Sequence, residues 1–386
     1  MTRLGDICEK IGSGATPHGG KEAYCLEGIS FVRSQNIGDF SFSANGLAHI
    51  NNKQAKKLSN VELKPNDILL NITGDSVART CIIDSEYLPA RVNQHVAIIR
   101  GKKDIVLSSY LLYFLQWKKK YLLQLASAGA TRNALTKSMI EQLEIELPTI
   151  EQQRKIAGVL DKIQEKIKLN QKINDNLLWQ AQALYKDRFI DLKPFNGKMP
   201  PDWQLGTVSE IIELHDSKRI PLSSRERANL TKIYPYYGAT SVMDYVDRYL
   251  FDGIYLLLGE DGTVVDDKGF PILQYVEGKF WVNNHAHIIT GKNGFTVETL
   301  YLLFSLTNVR SIVTGAVQPK ISQANLNNVS VVIPSKAELS TFNSIVQPIF
   351  SQIRNLRAES DRLTSTRDIL LPRLMSGEID AANIQL

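Results

Sequence analysis

Polar side chains that can contact nucleic-acid bases recur in loops of this sequence, between segments in which apolar residues alternate. Arginine, asparagine and glutamine can each bond two atoms of a guanine or adenine edge, whereas lysine, serine, threonine and glycine N–H groups suit phosphates. In the first half of the chain the candidates are Thr16, Arg33, Ser34, Gln35, Asn36, Thr73, Arg79, Asn93, Gln94, Thr131, Arg132 and Asn133. In the second half they are Lys218, Arg219, Tyr236, Tyr237, Gly238, Thr240, Asn283, Gln318 and Lys320. This mixture suits the reading of DNA bases better than the binding of a small acid.

Each candidate has an alternative interpretation as a turn-capping or solvated side chain, because such residues also fill turns for backbone reasons. Arg33, Arg132, Lys320 and the Tyr236–Gly238 stretch rank highest, since they fall at equivalent places in the two halves of the chain. We therefore expect a common scaffold with different loop side chains in each half.

The equivalence rests on an internal repeat. Residues 129–171 and 315–357 match at one constant offset, with Leu147-Pro148 answering Ile333-Pro334 (334 − 148 = 186). Upstream, Val92-Asn93-Gln94-His95 answers Val282-Asn283-Asn284-His285. Repetition at this long period indicates two duplicated globular domains rather than a solenoid, whose units are much shorter.

A helical pattern of apolar residues follows Pro148 and again Pro334. The predicted contact positions alternate at steps of three and four residues; they are Ile156, Leu160, Ile163, Ile167, Asn170, Leu177, Leu184, Val346, Ile349, Ile353, Leu356, Ser360, Leu363 and Leu370. Two copies of one unit normally meet through a two-fold axis, which makes such helices antiparallel. Roughly 35 residues give each helix a length of about 50 Å. We expect Asn170 and Ser360 to lie near one another and to fix the register.

The predicted fold is α+β, with two duplicated domains joined by two long helices in an antiparallel coiled coil of pseudo-two-fold symmetry. Strands are predicted at 67–72, 81–83, 96–99, 254–258 and 286–289, and covering helices at 109–125 and 297–309. Pro348 should kink the second long helix or mark its effective start, and Pro372 should end it. The predicted segments are a first domain 1–148, a first long helix 149–190, a second domain 191–334, a second long helix 335–376 and a tail 377–386.

Bulk composition fits a globular protein with two cores. The chain has 386 residues, of which 43% are hydrophobic and 22% charged, and its net charge of +5 only mildly favours a polyanionic partner. Cys8, Cys25 and Cys81 lack the spacing of a disulfide framework or a zinc ribbon. Without a signal peptide or an apolar run of membrane-spanning length, we expect a cytoplasmic protein with no membrane contact.

Two rival classes of function remain open. A nuclease could use Asp266, Asp267, Glu277 and Lys279, a spacing that is common by chance, and no phosphate-binding loop occurs. His285 and His287 share one side of a predicted strand as metal ligands might, but ordinary strand residues are the favoured interpretation, and no metal site is predicted. A coiled-coil adaptor that binds only proteins would explain the helices, but not the polar loops.

The segments Gly129-Ala130-Thr131-Arg132-Asn133-Ala134-Leu135, Ile145-Glu146-Leu147-Pro148 and Glu151-Gln152-Gln153-Arg154-Lys155-Ile156 resemble the end of the first half of type I restriction-modification specificity subunits. Gln318-Pro319-Lys320 matches that family's usual Gln-Pro-x pattern, and Leu370–Ile379 is similar to its C-terminus. The resemblance covers nearly the whole chain.

This resemblance implies two target recognition domains, each of which reads one part of a split, asymmetric DNA sequence, while the helices set the spacing. It implies no catalytic residue and no cofactor in this chain. The expected partners are double-stranded DNA, two methyltransferase subunits that methylate adenine N6 with S-adenosylmethionine, and two motor-nuclease subunits that use ATP and Mg²⁺ in host defence. A change in helix length should change the spacer between the two parts.

Overall fold

The structure is a computed structural model that describes residues 1–127, 133–315 and 317–384. The chain divides into two compact units, of which the first comprises Met1–Leu169 with Glu359–Leu386 and the second Asn170–Ala358. Both boundaries fall inside long helices, so each unit contains part of both helices. Helices and sheets are mixed within each unit, as the α+β prediction requires.

Among the described residues, the first unit has ten strands, five helices of its own and parts of the two long helices that it shares with the second unit. The first of these long helices is α6 below. The strands are β1 (Thr2–Arg3), β2 (Cys8–Ser13), β3 (Tyr24–Cys25), β4 (Ile29–Val32), β5 (Ala48–Ile50), β6 (Ile68–Asn71), β7 (Thr80–Ile82), β8 (Ala90–Val92), β9 (Val96–Gly101) and β10 (Glu144–Ile145). The helices are α1 (Leu4–Ile7), α2 (Asn52–Lys57), α3 (Ser108–Trp117), α4 (Lys119–Ser127), α5 (Lys137–Glu141) and α6 (Ile150–Tyr185).

A four-stranded sheet in the order β2-β9-β6-β7 lies at the centre of the first unit. Side chains alternate across this sheet: Leu70 and Ile99 face one core with α3 and the start of α6, whereas Leu69 and Ile98 face a second core. A smaller sheet in the order β3-β5-β4-β8 covers the second core. Burial on both faces explains why β6 is a continuous apolar run rather than an alternating one.

The second unit has eight strands and four further helices. The strands are β11 (Gln204–Thr207), β12 (Ile212–Leu214), β13 (Tyr234–Tyr237), β14 (Val242–Val246), β15 (Phe251–Gly259), β16 (Leu273–Val282), β17 (Ala286–Gly291) and β18 (Ser330–Ile333). The helices are α7 (Ser224–Ala228), α8 (Val297–Ser305), α9 (Gln323–Asn327) and α10 (Lys336–Met375). Six strands form one sheet in the order β12-β17-β15-β16-β13-β14.

The second unit repeats the strand pattern of the first. Strands β12, β17 and β15 pair antiparallel, as β2, β9 and β6 do, and β13 pairs parallel with β16, as β4 does with β8. Leu258 and Ile289 face the core beneath α8, whereas Leu257 and Ile288 face the opposite core. The scaffold is therefore duplicated.

Each unit pairs a part of α6 with a part of α10 in antiparallel fashion. In the first unit Arg367 donates to Gln164 at 2.9 Å, and Lys166 lies 3.4 Å from Glu359. In the second unit the rings of Tyr185 and Phe342 lie 5.7 Å apart, and Arg188 pairs with Glu338. In both units residue numbers rise along α6 as they fall along α10.

Most of the predicted contact positions are buried or half-buried, with one clear error. Leu184 is 42% exposed, and the adjacent Tyr185 is buried in its place. A strict 3.5-residue repeat drifts around a helix of 3.6 residues per turn, and after four heptads this drift displaces the predicted face. Phe350, which was not predicted, is also buried. The predicted proximity of Asn170 and Ser360 joins residues of different units and stays a prediction.

Two expectations about helix ends were wrong: Pro372 does not end α10, and residues 109–125 do not form one helix. Pro348 does not mark the start of α10 either, and the alternative, a kink there, stays a prediction. Helix α10 begins at Lys336, runs through Pro348 and continues past Pro372 to Met375. A proline removes only its own N–H donor, and the helix ends instead near Gly377, whose φ of +73° suits glycine. The predicted helix 109–125 is two helices, because the chain breaks helical geometry at Lys118.

Gln153 fixes the start of α6 to the first unit. Its fully buried amide accepts from Leu107 N–H at 2.9 Å and donates to the carbonyls of Ile105 and Pro148 at 3.0 and 2.9 Å. All three partners are backbone groups, so removal of the amide leaves buried polar atoms without partners.

We expect Gln153→Met to lower the free energy of unfolding of the first unit by about 2–4 kcal/mol, because three backbone groups lose their partner. Urea denaturation measures this loss. The matched control is Gln152→Met, one residue earlier, whose side chain is exposed and bonds only Thr149. Equal stability of the two variants would contradict the anchoring role of Gln153.

Candidate nucleic-acid interface

Loops at the carboxyl ends of four strands form one surface of the first unit. We call it the first rim; it comprises the loops after β2, β4, β6 and β8 (residues 14–18, 33–36, 72–79 and 93–95) together with Asn133. Hydrogen bonds connect the loops: Ala15 N–H donates to Val92 O at 3.0 Å and Ile72 N–H to His95 O at 3.0 Å. The approach at Gly14 is so close that a Cβ there would lie 2.2 Å from Val92 O, which only glycine avoids.

Side chains also connect the loops of the first rim. Thr16 Oγ1 donates to Gln94 Oε1 at 3.0 Å, and Thr73 Oγ1 lies 2.7 Å from His95 Nδ1. Gly74 N–H donates to Asn133 O at 3.2 Å. Residues that are distant in sequence thus meet at one edge of the scaffold.

The second unit forms the equivalent surface, the second rim, from residues 215–219, 238–241, 260–262, 283–285 and 317–320. Glu260 N–H donates to His285 O at 2.8 Å, as Ile72 does to His95. Ile321 N–H donates to Glu260 O at 2.8 Å, as Leu135 does to Ile72 O. The two rims therefore share their backbone hydrogen bonds, although their side chains differ.

A cluster of charged side chains supports the second rim; we call it the ion network, and it consists of Asp216, Arg219, Glu260, His287 and Lys320. Arg219 Nη1 lies 2.5 Å from Glu260 Oε2, Lys320 Nζ lies 3.2 Å from Glu260 Oε1, and His287 Nδ1 lies 2.6 Å from Asp216 Oδ2. Only Lys320 is exposed. The network links the strand end after β12 to the loop that carries Gln318 and Lys320.

The carboxyl groups of the network are held ionised. Burial alone would raise the pKa of Asp216, but hydrogen bonds from His287, Ile288 N–H and Gln323 outweigh it, so this pKa lies below its usual range. For Glu260, burial acts the same way and is outweighed by Arg219, His287 and Lys320, which lower its pKa. Both groups are therefore anionic at neutral pH.

His287 faces a hydrogen-bond acceptor at each ring nitrogen. Nδ1 faces the Asp216 carboxylate, and Nε2 lies 2.8 Å from the carbonyl of Ile321, the residue after Lys320. A neutral imidazole carries one N–H and can donate to one of these acceptors, whereas an imidazolium carries two and can donate to both. Arg219 contacts both carboxylates, and Lys320 pairs with Glu260 at the exposed edge of the network.

The comparisons with known proteins assign the family. The sequence profile of the type I restriction modification DNA specificity domain matches residues 1–178 and again residues 200–364. The chain belongs to the type I restriction-modification specificity subunit family. The duplicated match agrees with the duplicated scaffold.

Relatives and a solved structure agree with this family. The chain is 25% identical to the type I restriction enzyme MjaIX specificity subunit of Methanocaldococcus jannaschii, over 98% of this chain and 93% of that protein. It is 22% identical to the HindI specificity subunit of Haemophilus influenzae, over 84% and 88% of the two chains. The crystal structure of a type I S subunit from M. genitalium has the same fold, with a TM-score of 0.53, 17% identity and coverage of 96% and 94%.

The structure brings most of the predicted DNA-contacting residues to the two rims. The exposed ones are Thr16, Gln35, Arg79, Gln94, Asn133, Lys218, Thr240, Gln318 and Lys320, and the half-buried ones are Arg33, Ser34, Thr73, Arg219 and Tyr237. Arg33 Nη2 donates to Gly46 O at 2.7 Å, and Asn71 Nδ2 donates to Ser34 O at 2.9 Å. Thr131 and Arg132 lie outside the described residues.

Three asparagines that we assigned to DNA contact are structural. Asn36 is fully buried, accepts from Arg33 N–H at 3.0 Å and donates to Ser43 O at 3.0 Å. Asn93 and Asn283 are buried at equivalent turns, where each side chain accepts the N–H two residues ahead, at 3.1 and 2.8 Å. Asparagine is common in such turns for this reason, so the two asparagines of the shared Val-Asn-x-His motif shape the rims from within.

Three other assignments in the second unit need correction. Tyr236 is 1% exposed, and its hydroxyl accepts from Leu222 N–H at 2.9 Å, while the Arg227 guanidinium lies 4.8 Å above its ring. Arg219 is enclosed by the ion network, with only 13% of its side chain exposed. Gly238 is buried as well. These residues support the rim from within.

Sequence reasoning missed Asp216 and Glu260, and it placed His287 only among possible metal ligands. Within residues 1–127, 133–315 and 317–384, Asp216, Glu260 and His287 form the one group of potential metal ligands whose donor atoms all lie within 4.8 Å. Arg219 contacts the carboxylates of Asp216 and Glu260, and Lys320 contacts that of Glu260. Side-chain cations therefore already pair with the carboxylates that a metal ion would use. His285 is not part of the group and pairs with Asp261.

The residues of the nuclease alternative have other contacts. Asp266 accepts from the N–H groups of Lys268 and Phe270, Glu277 lies 3.4 Å from Arg354, and Lys279 lies over the ring of Tyr249. In the part of the chain that the structure describes, they form no ligand cluster. In the same part, no helix has the length and apolar character that a membrane span requires.

The lowered carboxyl pKa values predict an acid-sensitive second unit. Their stabilisation is present above the unfolded pKa values of about 3.9 for Asp and 4.3 for Glu, and is lost as the pH falls through the lower folded values. We expect the free energy of unfolding of the second unit to fall below about pH 4, and Asp216→Asn to flatten this dependence. Urea titrations followed by the fluorescence of Trp203 and Trp281, both buried in the second unit, measure it in a background that lacks the other two tryptophans, with the exposed Glu213→Gln as control. An unchanged pH slope in Asp216→Asn would contradict this prediction.

Proposed function

We propose that this chain is the DNA-reading subunit of a type I restriction-modification complex, in which each rim reads one part of a two-part, asymmetric target. One observation carries this proposal: the same four strand ends build the two rims through equivalent hydrogen bonds, whereas the exposed side chains differ. The first rim presents Thr16, Arg79 and Gln94, and the second presents Gln318 and Lys320. Equal scaffolds with unequal side chains suit two different half-sites.

We propose that the helix pair fixes the distance between the two parts. At 1.5 Å per residue, α6 and α10 with 36 and 40 residues are about 54 and 60 Å long, which corresponds to roughly 16–18 base pairs at 3.4 Å each. Both helices are fixed to their units by buried polar contacts. In the first unit Tyr113 donates to Asp161 at 2.8 Å, and in the second Tyr275 and Gln347 both donate to the buried Glu298 at 2.7 Å.

We propose that exposed apolar side chains on the long helices bind the methyltransferase subunits. Trp179 is 66% exposed, and Leu169, Ile173, Leu184, Ile345 and Ile369 are also exposed on these helices. Apolar side chains of this size mark protein contacts when they occur together. Two methyltransferase subunits with S-adenosylmethionine and two motor-nuclease subunits with ATP and Mg²⁺ would then supply the chemistry, and the complex would act in the cytoplasm on the genome.

The test is a genome-wide map of N6-methyladenine in the host with and without this gene. We expect one two-part motif to lose its methylation when the gene is deleted, and to regain it when the gene is restored. A protein-only adaptor predicts no motif-specific change. As a second measurement, the affinity of the purified complex for DNA with this motif should fall steeply as salt rises, because phosphate contacts release counterions.

A further inference from the structure

Val317 lies at the tip of a short loop of the second rim, with 99% of its surface exposed. The base of this loop is closed by two backbone hydrogen bonds, from Thr314 N–H to Lys320 O at 2.9 Å and from Lys320 N–H to Thr314 O at 2.7 Å. The loop is attached to the rest of the rim through Gly262 N–H, which donates to Pro319 O at 2.9 Å, and through the ion pair between Lys320 and Glu260.

Neither the backbone nor the core explains a valine at this position. Turns and loop tips favour glycine, asparagine, aspartate, serine and proline, each for a backbone reason that valine does not share. A side chain that contacts nothing adds no packing energy to the fold. The β-branched carbon of Val317 restricts its side-chain torsion, so the two methyl groups have few possible directions.

The neighbours of Val317 indicate what would cover it. Gln318 is exposed beside it and carries an amide that suits an adenine edge, and Lys320 carries an exposed ammonium group, which suits a phosphate. Between such contacts, the apolar feature of DNA is the C5-methyl group of thymine, which projects into the major groove and distinguishes thymine from cytosine.

We infer that Val317 contacts the C5-methyl group of a thymine in the second part of the target and is a specificity-determining residue. The inference rests on the proposed function, because it requires the second rim to enter the major groove. Val317 was absent from the predicted DNA-contacting residues because those were chosen for their polar side chains.

The test combines Val317→Ser with thymines replaced singly by deoxyuridine, which lacks only the methyl group. The purified complex is titrated with duplexes that contain its own methylated motif. We expect one replacement in the second part to weaken wild-type binding about three- to tenfold, the effect of one buried methyl group. Val317→Ser should weaken binding to the thymine duplex by a similar factor. The variant should bind the thymine and deoxyuridine duplexes equally well, since two changes that remove the same contact do not add.

The matched control is Leu26→Ser. Leu26 is 97% exposed, but it lies in the turn before β4, at the opposite end of that strand from the first rim, so its replacement should leave binding unchanged. Three results would each overturn the inference. Val317→Ser could weaken binding to the thymine and deoxyuridine duplexes by the same factor, it could weaken binding to neither, or the second part could contain no thymine on either strand. Failure of the wild-type complex to bind any methylated motif would instead overturn the proposed function.

Discussion

Insertion of seven residues into both long helices is expected to abolish methylation of the original target and to create a target whose two parts are unchanged but lie about three base pairs further apart. Seven residues add about 10 Å to a helix, which is close to three base-pair steps. A heptad preserves the spacing of the apolar face, so the helices can still pair. One copy of residues 164–170 is inserted after Asn170, and one copy of residues 357–363 after Leu356.

Genome-wide mapping of N6-methyladenine gives the new target directly. Methylation of the original sequence should fall at least about 100-fold, because only one part can be contacted at a time. The control carries the insertion in α6 alone; it shifts the apolar faces against each other and should lose stability as well as methylation. If the matched pair of insertions left the target sequence unchanged, the helices would not set the spacer.

Sequence predicted the scaffold well because its signals are local or repeated. Strands β6, β9, β15 and β17 lie within a few residues of their predicted bounds, since continuous apolar segments between turns identify buried strands. The internal repeat identified the duplicated architecture without any structural information. Helix ends were less predictable: a proline signals a lost donor, but the packing of Val346 and Phe350 on either side of Pro348 maintains α10 there.

The candidate site was predicted only in outline, since residue type does not distinguish a side chain that contacts a ligand from one that supports a loop. Asn93 and Asn283 have the composition of base-reading residues, yet their side chains hold the turns that shape the rims. The ion network gave no sequence signal, because Asp216, Glu260 and His287 are far apart in the chain. In the first unit Ala97 occupies the strand position that His287 occupies in the second, so the repeat itself could not reveal the network.

Replacement of His287 by leucine is expected to destabilise the second unit by about 3–5 kcal/mol, because it leaves the Asp216 carboxylate and the Ile321 carbonyl in a buried site without this donor. Ile321 follows Lys320 directly, so the loop of the second rim also loses an anchor. We therefore expect affinity for the second part of the target to fall at least about 100-fold even at temperatures where the variant is folded. Urea denaturation and titration with half-site duplexes measure the two effects.

His285→Leu is the matched control, because His285 lies two residues away on the same segment and is 42% exposed where it pairs with Asp261. It should cost no more than about 1 kcal/mol, as exposed pairs do. Because His285 lies in the second rim, the control for affinity is Glu213→Gln, exposed in β12 outside the rim, which should leave the affinity for the second part within a few-fold of wild type. Affinity for the first part should be unchanged in all of these variants, since the first rim is held by its own hydrogen bonds. Equal losses for both half-sites in His287→Leu would show that the network supports general stability rather than the reading loop of the second unit.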